Sequence, residues 1–205
     1  MSDAMESVAS DLVMRSPLDG IAPAAGGPDD AGVALSERRF LGKLILRGDG
    51  SSSAFQAAVK QAIGCAVPTD PNTTQSSKTT TALWLSPEEW LITTAPGEEA
   101  GIAEALRSAL SGQHSAVTDI SDNVLTIRLS GPNARHVLMK GCSLDFHPSA
   151  FAVGHCAQTH LVKAVVTIQQ IDDAPSYDIH VRRSFAEYLW RWLEDAGLEY
   201  GVRYP

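Results

Sequence analysis

The segment from residue 117 to residue 145 constrains the fold most, because its hydrophobic period changes from that of a strand to that of a helix. Residues 124–129 alternate aliphatic and polar side chains, which is the period of a half-buried strand. A further strand and a short turn are predicted before it, over residues 117–123. After the Ser-Gly-Pro sequence at 130–132, apolar residues recur at helical spacing, and Gly141 predicts a left-handed helix end. The segment therefore predicts a strand pair followed by a short helix.

The remaining sequence repeats this order of strands followed by a helix. Apolar residues at helical spacing from Phe55 to Ala62 predict a helix that Ser52 or Ser53 caps and Gly64 ends. The other predicted elements are strands at 39–47, 82–85, 90–93, 161–168 and 177–182, a helix at 98–110 and a final helix from 184. Three strand pairs, each closed by a helix, predict the α+β class, with helices packed on a mainly antiparallel sheet.

Two tetrapeptides have the Ser-x-x-Glu form of a capping box, in which the serine and the glutamate bond each other's backbone N–H groups. The first, at 86–89, predicts one helical turn between two strands. The second, at 184–187, predicts the start of the final helix, whose core-facing residues are expected to include Phe185, Leu189 and Trp192.

The domain organisation is predicted from the distribution of proline and glycine. Residues 1–33 have no lasting period and predict an extended N-terminal arm, whereas residues 34–205 predict a single α+β domain. Residues 68–81 form a long polar stretch. This stretch is either a surface connection or a loop that contacts a partner subunit, and the sequence leaves both open.

Charge and cysteine content exclude several classes of protein. The net charge is −8 without any cluster of basic residues, which argues against nucleic acid as a partner. The three cysteines, Cys65, Cys142 and Cys156, are odd in number and widely spaced, so neither a disulfide framework nor a zinc ribbon is expected. The acidic start and the lack of a long apolar run predict a cytoplasmic protein without a signal peptide or membrane partner.

The sequence contains no motif for catalysis, metal binding or cofactor binding. His147, His155, Cys156 and His160 are close in sequence, but His155 and His160 are predicted on opposite faces of a strand. No nucleophile elbow, phosphate loop or dinucleotide-binding glycine motif occurs. We therefore predict no catalytic residue, no metal ligand and no cofactor-binding residue in this chain.

Three carboxylates of the first segment leave two interpretations open. Asp119 and Asp122 flank Ser121, and Asp145 ends the segment. A carboxylate in such a turn could hold a cationic or pterin-like ring, or it could bond the N–H groups of its own turn.

The final helix offers the clearest candidate for an interface. Tyr188, Trp190 and Arg191 are predicted to lie off its core-facing side, and Arg182 and Arg183 come just before it. Aromatic residues and arginine are enriched at the centres of protein interfaces. The alternative is a helix buried between the sheet and the N-terminal arm.

Several stretches together resemble a known family. They are Arg15-Ser-Pro-Leu18, Trp84-Leu-Ser-Pro-Glu-Glu-Trp-Leu91, the first segment through Pro148, Gly154-His-Cys-Ala-Gln158 and residues 176–192. The order Thr118-Asp-Ile-Ser121, aliphatic strand, Leu129-Ser-Gly-Pro-Asn-Ala134 resembles the folate-binding fold of aminomethyltransferases, the glycine-cleavage T-proteins. The whole set is more similar to the gamma subunit family of heterotetrameric sarcosine oxidase.

The resemblance implies a non-catalytic subunit of an oxidoreductase. Such complexes demethylate sarcosine to glycine, producing hydrogen peroxide and 5,10-methylenetetrahydrofolate. Their FAD, FMN, NAD and tetrahydrofolate are expected on other subunits, and the partners are expected to be the alpha, beta and delta subunits. The C-terminal domains of the aminomethyltransferases are absent here, which disfavours the alternative of a stand-alone folate-binding one-carbon transfer protein.

Overall fold

The computed structural model describes residues 14–205, and it contains two mainly antiparallel sheets with helices packed on them. The strands are β1 (Val33–Glu37), β2 (Gly42–Arg47), β3 (Thr74–Ser76), β4 (Thr80–Ser86), β5 (Glu89–Thr94), β6 (Ala116–Asp119), β7 (Val124–Ser130), β8 (Cys156–Leu161), β9 (Ala164–Asp172), β10 (Ser176–Arg182) and β11 (Val202–Arg203). The α-helices are α1 (Ser53–Ile63), α2 (Glu99–Ala109), α3 (Ala134–Met139) and α4 (Ala186–Gly197), with 3₁₀ turns at Arg183–Phe185 and Leu198–Tyr200. The predicted α+β class is confirmed.

The five-stranded sheet, in the order β3-β4-β5-β2-β6, packs one face against α1 and α2. Alternate residues of β2, such as Leu44 and Leu46, lie in this core beside Phe55 of α1. The predicted ends of α1 are confirmed, because the Ser52 hydroxyl accepts the N–H of Phe55 at 3.3 Å and Gly64 adopts a left-handed conformation with φ 81°.

The six-stranded sheet, in the order β11-β1-β7-β10-β9-β8, carries the larger core. The aliphatic residues of β7 that the sequence placed on one face, namely Leu125, Ile127 and Leu129, are all buried in it. Helices α3 and α4 cover this face. The two sheets contact each other through a small cluster in which Leu83 and Leu91 pack against Cys156 of β8.

Strands β6 and β7 belong to different sheets, which differs from the predicted strand pair. β6 pairs with β2, whereas β7 lies between β1 and β10. The turn between them therefore crosses from one sheet to the other. Its Ser121 hydroxyl accepts the backbone N–H of Lys43 at 3.0 Å and so ties the crossing to β2.

Three predicted local features are wrong. Gly141 does not have a positive φ; a Cβ there would lie 2.6 Å from the ring of Trp192, so close packing requires the glycine. Residues 86–89 form a hairpin turn in which Ser86 pairs with Glu89, because the strand pairing on both sides leaves no room for a helical turn. The predicted strand over 161–168 is divided by a turn at Val162, whose φ is 56°.

The N-terminal and polar stretches are more ordered than their composition predicts. Residues 14–32 contain no helix or strand, yet Leu18 is buried in the larger core and Gly26 bridges to Tyr204. The rest of the predicted arm, residues 1–13, lies outside the described residues, and the domain boundary after residue 33 stays a prediction. Residues 68–81 contain β3, which extends the five-stranded sheet.

Candidate functional site

A cleft of about 380 Å³ opens where the ends of β1, β2 and β7 meet. Residues 14–17 form one wall, and the turn that crosses between the sheets forms another. Polar and charged side chains are brought there from distant parts of the sequence. They are Arg15, Ser16, Glu37, Arg38, Lys43, Ser121, Asp122 and Arg183.

Lys43 lies at the bottom of the cleft and is 1% exposed. Its ammonium donates to the carbonyl oxygen of Leu41 at 2.9 Å. Burial lowers the pKa of Lys43 to about 8, although the carboxylates of Glu37, Asp178 and Glu99 act in the opposite direction. An anion that binds near this buried ammonium would stabilise its charged form and raise the pKa of Lys43.

Glu37 faces the same cleft with one oxygen bonded and one oxygen free. Its Oε1 accepts the hydroxyl of Ser16 at 2.5 Å. Within the described part of the chain, Oε2 is buried and has no hydrogen-bond partner. The nearest ion pair is with Arg39 Nη1 at 3.8 Å, beyond hydrogen-bonding distance. A buried carboxylate oxygen in this state favours a bound N–H donor.

Behind the cleft, β7 and β10 carry a second set of buried polar groups. Arg128 donates two hydrogen bonds of 2.8 Å to the two oxygens of Asp178. Next to this pair, His180 Nδ1 and the Thr126 hydroxyl lie 2.9 Å apart. Burial lowers the pKa of His180 to about 4, against the opposite effect of Asp178, so the ring is neutral at neutral pH.

The free energy of unfolding is expected to fall as the pH is lowered from 6.5 to about 4, because the unfolded chain takes up a proton on His180 that the folded protein does not. The loss from this group reaches about 2–3 kcal/mol. Urea unfolding at a series of pH values measures it. His180→Gln is expected to remove this part of the pH dependence, whereas His114→Gln, at an exposed position, retains it. An unchanged dependence in His180→Gln would contradict the assignment.

The carboxylates of the first segment serve mainly its own backbone. Asp119 Oδ1 accepts the N–H and the hydroxyl of Ser121, at 2.9 and 2.6 Å. Asp145 Oδ1 accepts the N–H of His147 at 2.8 Å. Asp122 lines the cleft. Of the two interpretations left open, turn capping therefore describes Asp119 and Asp145. Asp122 lines the cleft, and together with Asp119 it also lines a neighbouring pocket that a ligand could enter.

The thiols and histidines do not form a reactive site. Cys65, Cys142 and Cys156 are all buried free thiols, and burial raises the pKa of Cys156 to about 11. A thiol with so high a pKa is a poor nucleophile. Among residues 14–205, His, Cys, Asp and Glu form no group of three or more that could hold a metal ion. None of the helices in this range is long and apolar enough to cross a membrane.

Comparison with known proteins identifies the family. The family described as "Sarcosine oxidase, gamma subunit family" matches residues 47–199. The chain belongs to this family. The sarcosine oxidase subunit gamma of Corynebacterium sp. (strain P-1) is 35% identical over 195 residues, which is 94% of each chain.

Solved structures agree with this assignment and confirm the predicted fold. A chain of the heterotetrameric sarcosine oxidase from Corynebacterium sp. U-96, in complex with pyrrole 2-carboxylate, is 30% identical with a TM-score of 0.81, covering 92% of this chain and 97% of that chain. The glycine cleavage aminomethyltransferase T of Bartonella henselae is 12% identical with a TM-score of 0.65, covering 85% of this chain and 48% of that chain. The gamma subunit family thus shares the aminomethyltransferase fold.

In this member of the gamma subunit family, the final helix exposes only part of the predicted interface. Arg182, Arg183, Tyr188 and Arg191 are exposed, whereas Trp190 is 1% exposed and stacks on Tyr204. The prediction that Trp190 faces outward is wrong. Leu189 and Leu193 are shared by two overlapping apolar stripes, and α4 buries the stripe that contains Trp190. The residues that α4 buries are Ala186, Leu189, Trp190, Leu193, Ala196 and Gly197.

Phe185 is also placed differently from the prediction. It was assigned to the core side, but it is 38% exposed, and its ring contacts Tyr188 with centroids 6.3 Å apart. Sequence reasoning therefore missed one exposed aromatic residue beside the basic residues. It also missed Glu37 and Lys43, which lie on two successive strands, and the distant Asp178, because the three residues have no motif in common.

Proposed function

We propose that this chain is the non-catalytic gamma subunit of a heterotetrameric sarcosine oxidase and supports the assembly of that complex. The observation that carries the proposal is the end-to-end similarity to named gamma subunits, 94% of each chain for the Corynebacterium relative. Similarity to a chain of the heterotetrameric enzyme over 97% of that chain supports it further. The buried thiols support a role without nucleophilic catalysis.

The chemistry of the proposed complex belongs to its other subunits. Sarcosine, oxygen and tetrahydrofolate are converted to glycine, hydrogen peroxide and 5,10-methylenetetrahydrofolate. We assign FAD, FMN, NAD and tetrahydrofolate to the alpha, beta and delta subunits, and we propose a cytoplasmic location. Titration of the purified full chain with tetrahydrofolate tests this assignment. Tight stoichiometric binding that Asp119→Ala or Asp122→Ala abolishes would instead favour a stand-alone folate-binding protein.

We further propose that the contact with the larger subunits is centred on the surface formed by Arg182, Arg183, Phe185, Tyr188 and Arg191. These side chains are exposed and adjacent in sequence, and they combine aromatic area with positive charge on a chain whose net charge is −8. Such a surface is complementary to an acidic, partly apolar patch on a partner. Trp190 is buried and does not contribute to this surface.

The double variant Tyr188→Ala, Arg191→Ala is expected to weaken association with the other subunits by about 1,000-fold, because aromatic and arginine side chains at interface centres each contribute on the order of 2 kcal/mol. Co-expression with the other subunits, followed by affinity capture of this chain and quantification of the captured partners, measures the effect. Lys60→Ala, at an exposed position on α1, is the control and should capture normal amounts. Normal capture by the double variant would place the interface elsewhere.

A further inference from the structure

We propose that the cleft beside residues 14–17 binds a small amino acid in its zwitterionic form, with the ligand ammonium at Glu37 and the ligand carboxylate at Arg38. The inference rests on the proposed function only for the choice of ligands, glycine and sarcosine. It assigns to this chain a ligand site separate from the chemistry of the other subunits.

The first support is the unsatisfied carboxylate. The Glu37 side chain is 8% exposed and lines the cleft, and within residues 14–205 its Oε2 finds no hydrogen-bond donor. Leaving a buried charged oxygen unbonded is unfavourable, and a charged N–H donor gives the strongest compensation. An ammonium group entering the cleft would supply that donor.

The second support is the charge of the rest of the cleft. Among the described residues that line it, Arg15, Arg38, Lys43 and Arg183 are cationic, whereas only Glu37 and Asp122 are anionic. The cleft is therefore locally basic although the chain is acidic overall. Once an ammonium group neutralises Glu37, the excess positive charge favours a carboxylate on the same ligand. An amine alone would supply a donor for Glu37 but no negative charge for the arginines, and a carboxylate alone would do the reverse.

The third support is the shape and apolar lining of the space. Its volume of about 380 Å³ falls in the range of small-molecule sites. Phe40 and Leu125 add apolar area to the lining of the cleft. The wall formed by residues 14–17 is held in place, since Ser16 bonds Glu37 and Arg183 Nη2 donates to the Arg15 carbonyl oxygen at 3.4 Å. The site is thus built from several segments that bond one another.

Methyl NMR of the assembled complex tests the proposal, with this chain carrying ¹³C-labelled methionine methyl groups. Met14 lines the cleft and reports on binding, whereas Met139 is exposed on α3, does not line the cleft and serves as the internal reference. Glycine is the main probe because it is the reaction product, and sarcosine is added without oxygen. Glycine is expected to shift the Met14 resonance saturably, with half-saturation at about 1 mM or below. Acetate and methylamine, the two half-ligands, should need at least about tenfold higher concentrations.

Variants locate the effect. Glu37→Gln keeps an acceptor for Ser16 but removes the charge, and it is expected to weaken glycine binding at least about tenfold. Arg38→Gln should weaken the binding of acetate and of glycine by similar factors. Glu104→Gln, at an exposed position on α2, should leave the binding of both unchanged. The absence of a saturable Met14 shift in an assembled complex, equal affinities for acetate and glycine, or unchanged binding in Glu37→Gln would each overturn the inference. A chain that fails to assemble with the other subunits would overturn the proposed function instead.

Discussion

Replacing Trp190 with alanine is expected to lower the free energy of unfolding by about 3–5 kcal/mol. The side chain is 1% exposed within the larger core, and its ring stacks on Tyr204 with centroids 6.2 Å apart. Truncation therefore loses the transfer free energy of a large aromatic side chain and leaves a cavity that the surrounding helix and sheet can only partly fill. Denaturant unfolding of the full chain, followed by circular dichroism, measures the loss.

Two further variants make this prediction specific to the position of Trp190. Within the described residues, Trp190 Nε1 is buried without a hydrogen-bond partner, so Trp190→Phe keeps most of the packing and removes an unsatisfied donor. Trp190→Phe is expected to lower the free energy of unfolding by at most about half of the loss in Trp190→Ala. Tyr188→Ala, in the same helix but 36% exposed, should cost less than about 1 kcal/mol. A Tyr188→Ala loss equal to that of Trp190→Ala would contradict the observed helix orientation.

Asp178→Ala is expected to destabilise the protein by about 3 kcal/mol, because it leaves Arg128 mostly buried without its counter-ion. The pair is bidentate, and the Asp178 and Arg128 side chains are 9% and 25% exposed. The charge of Asp178 also acts on Lys43 and His180, so its removal would affect both of them. Denaturant unfolding at neutral pH measures the loss.

A double-mutant cycle separates the ion pair from simple loss of packing. Arg128→Leu combined with Asp178→Ala removes both charges, and it is expected to be less destabilising than Asp178→Ala alone. If the free energy of unfolding of the double variant falls by the sum of the two single-variant losses, the two side chains are not coupled. The account of a charge-balanced buried pair would then be wrong.

The parts of the fold that follow from local patterns could be predicted from the sequence. The alternation in 124–129 fixed which residues of β7 enter the core, and the cap and glycine of α1 fixed its ends. The pairing of β6 could not be predicted in this way, since alternation determines which face of a strand is buried but not which strand lies beside it. β6 pairs with β2, which is about seventy residues earlier in the chain.

The errors at the final helix and at the cleft have separate causes. On α4, Leu189 and Leu193 belong to two overlapping apolar stripes, and the sequence pattern alone does not decide whether Phe185 or Trp190 shares the core with them. The cleft was not predicted because Glu37 and Lys43 lie in strands of different sheets and Arg183 comes from a distant turn, and the sequence does not show that these segments meet. The sequence singled out the crossing turn at Ser121 and Asp122, the stretch from Arg15 and the residue Arg183 separately, without indicating that they line one cleft.

The mass and activity of the particle that contains this chain test the central proposal most directly. The tagged chain is co-expressed with the alpha, beta and delta subunits of its own source, purified under native conditions, and analysed by native mass spectrometry alongside a sarcosine oxidase assay. The proposal predicts one particle with four different polypeptides that oxidises sarcosine, while the chain purified alone has no such activity. A stable monomer that oxidises sarcosine by itself, or a chain recovered without any of the three other subunits, would contradict it.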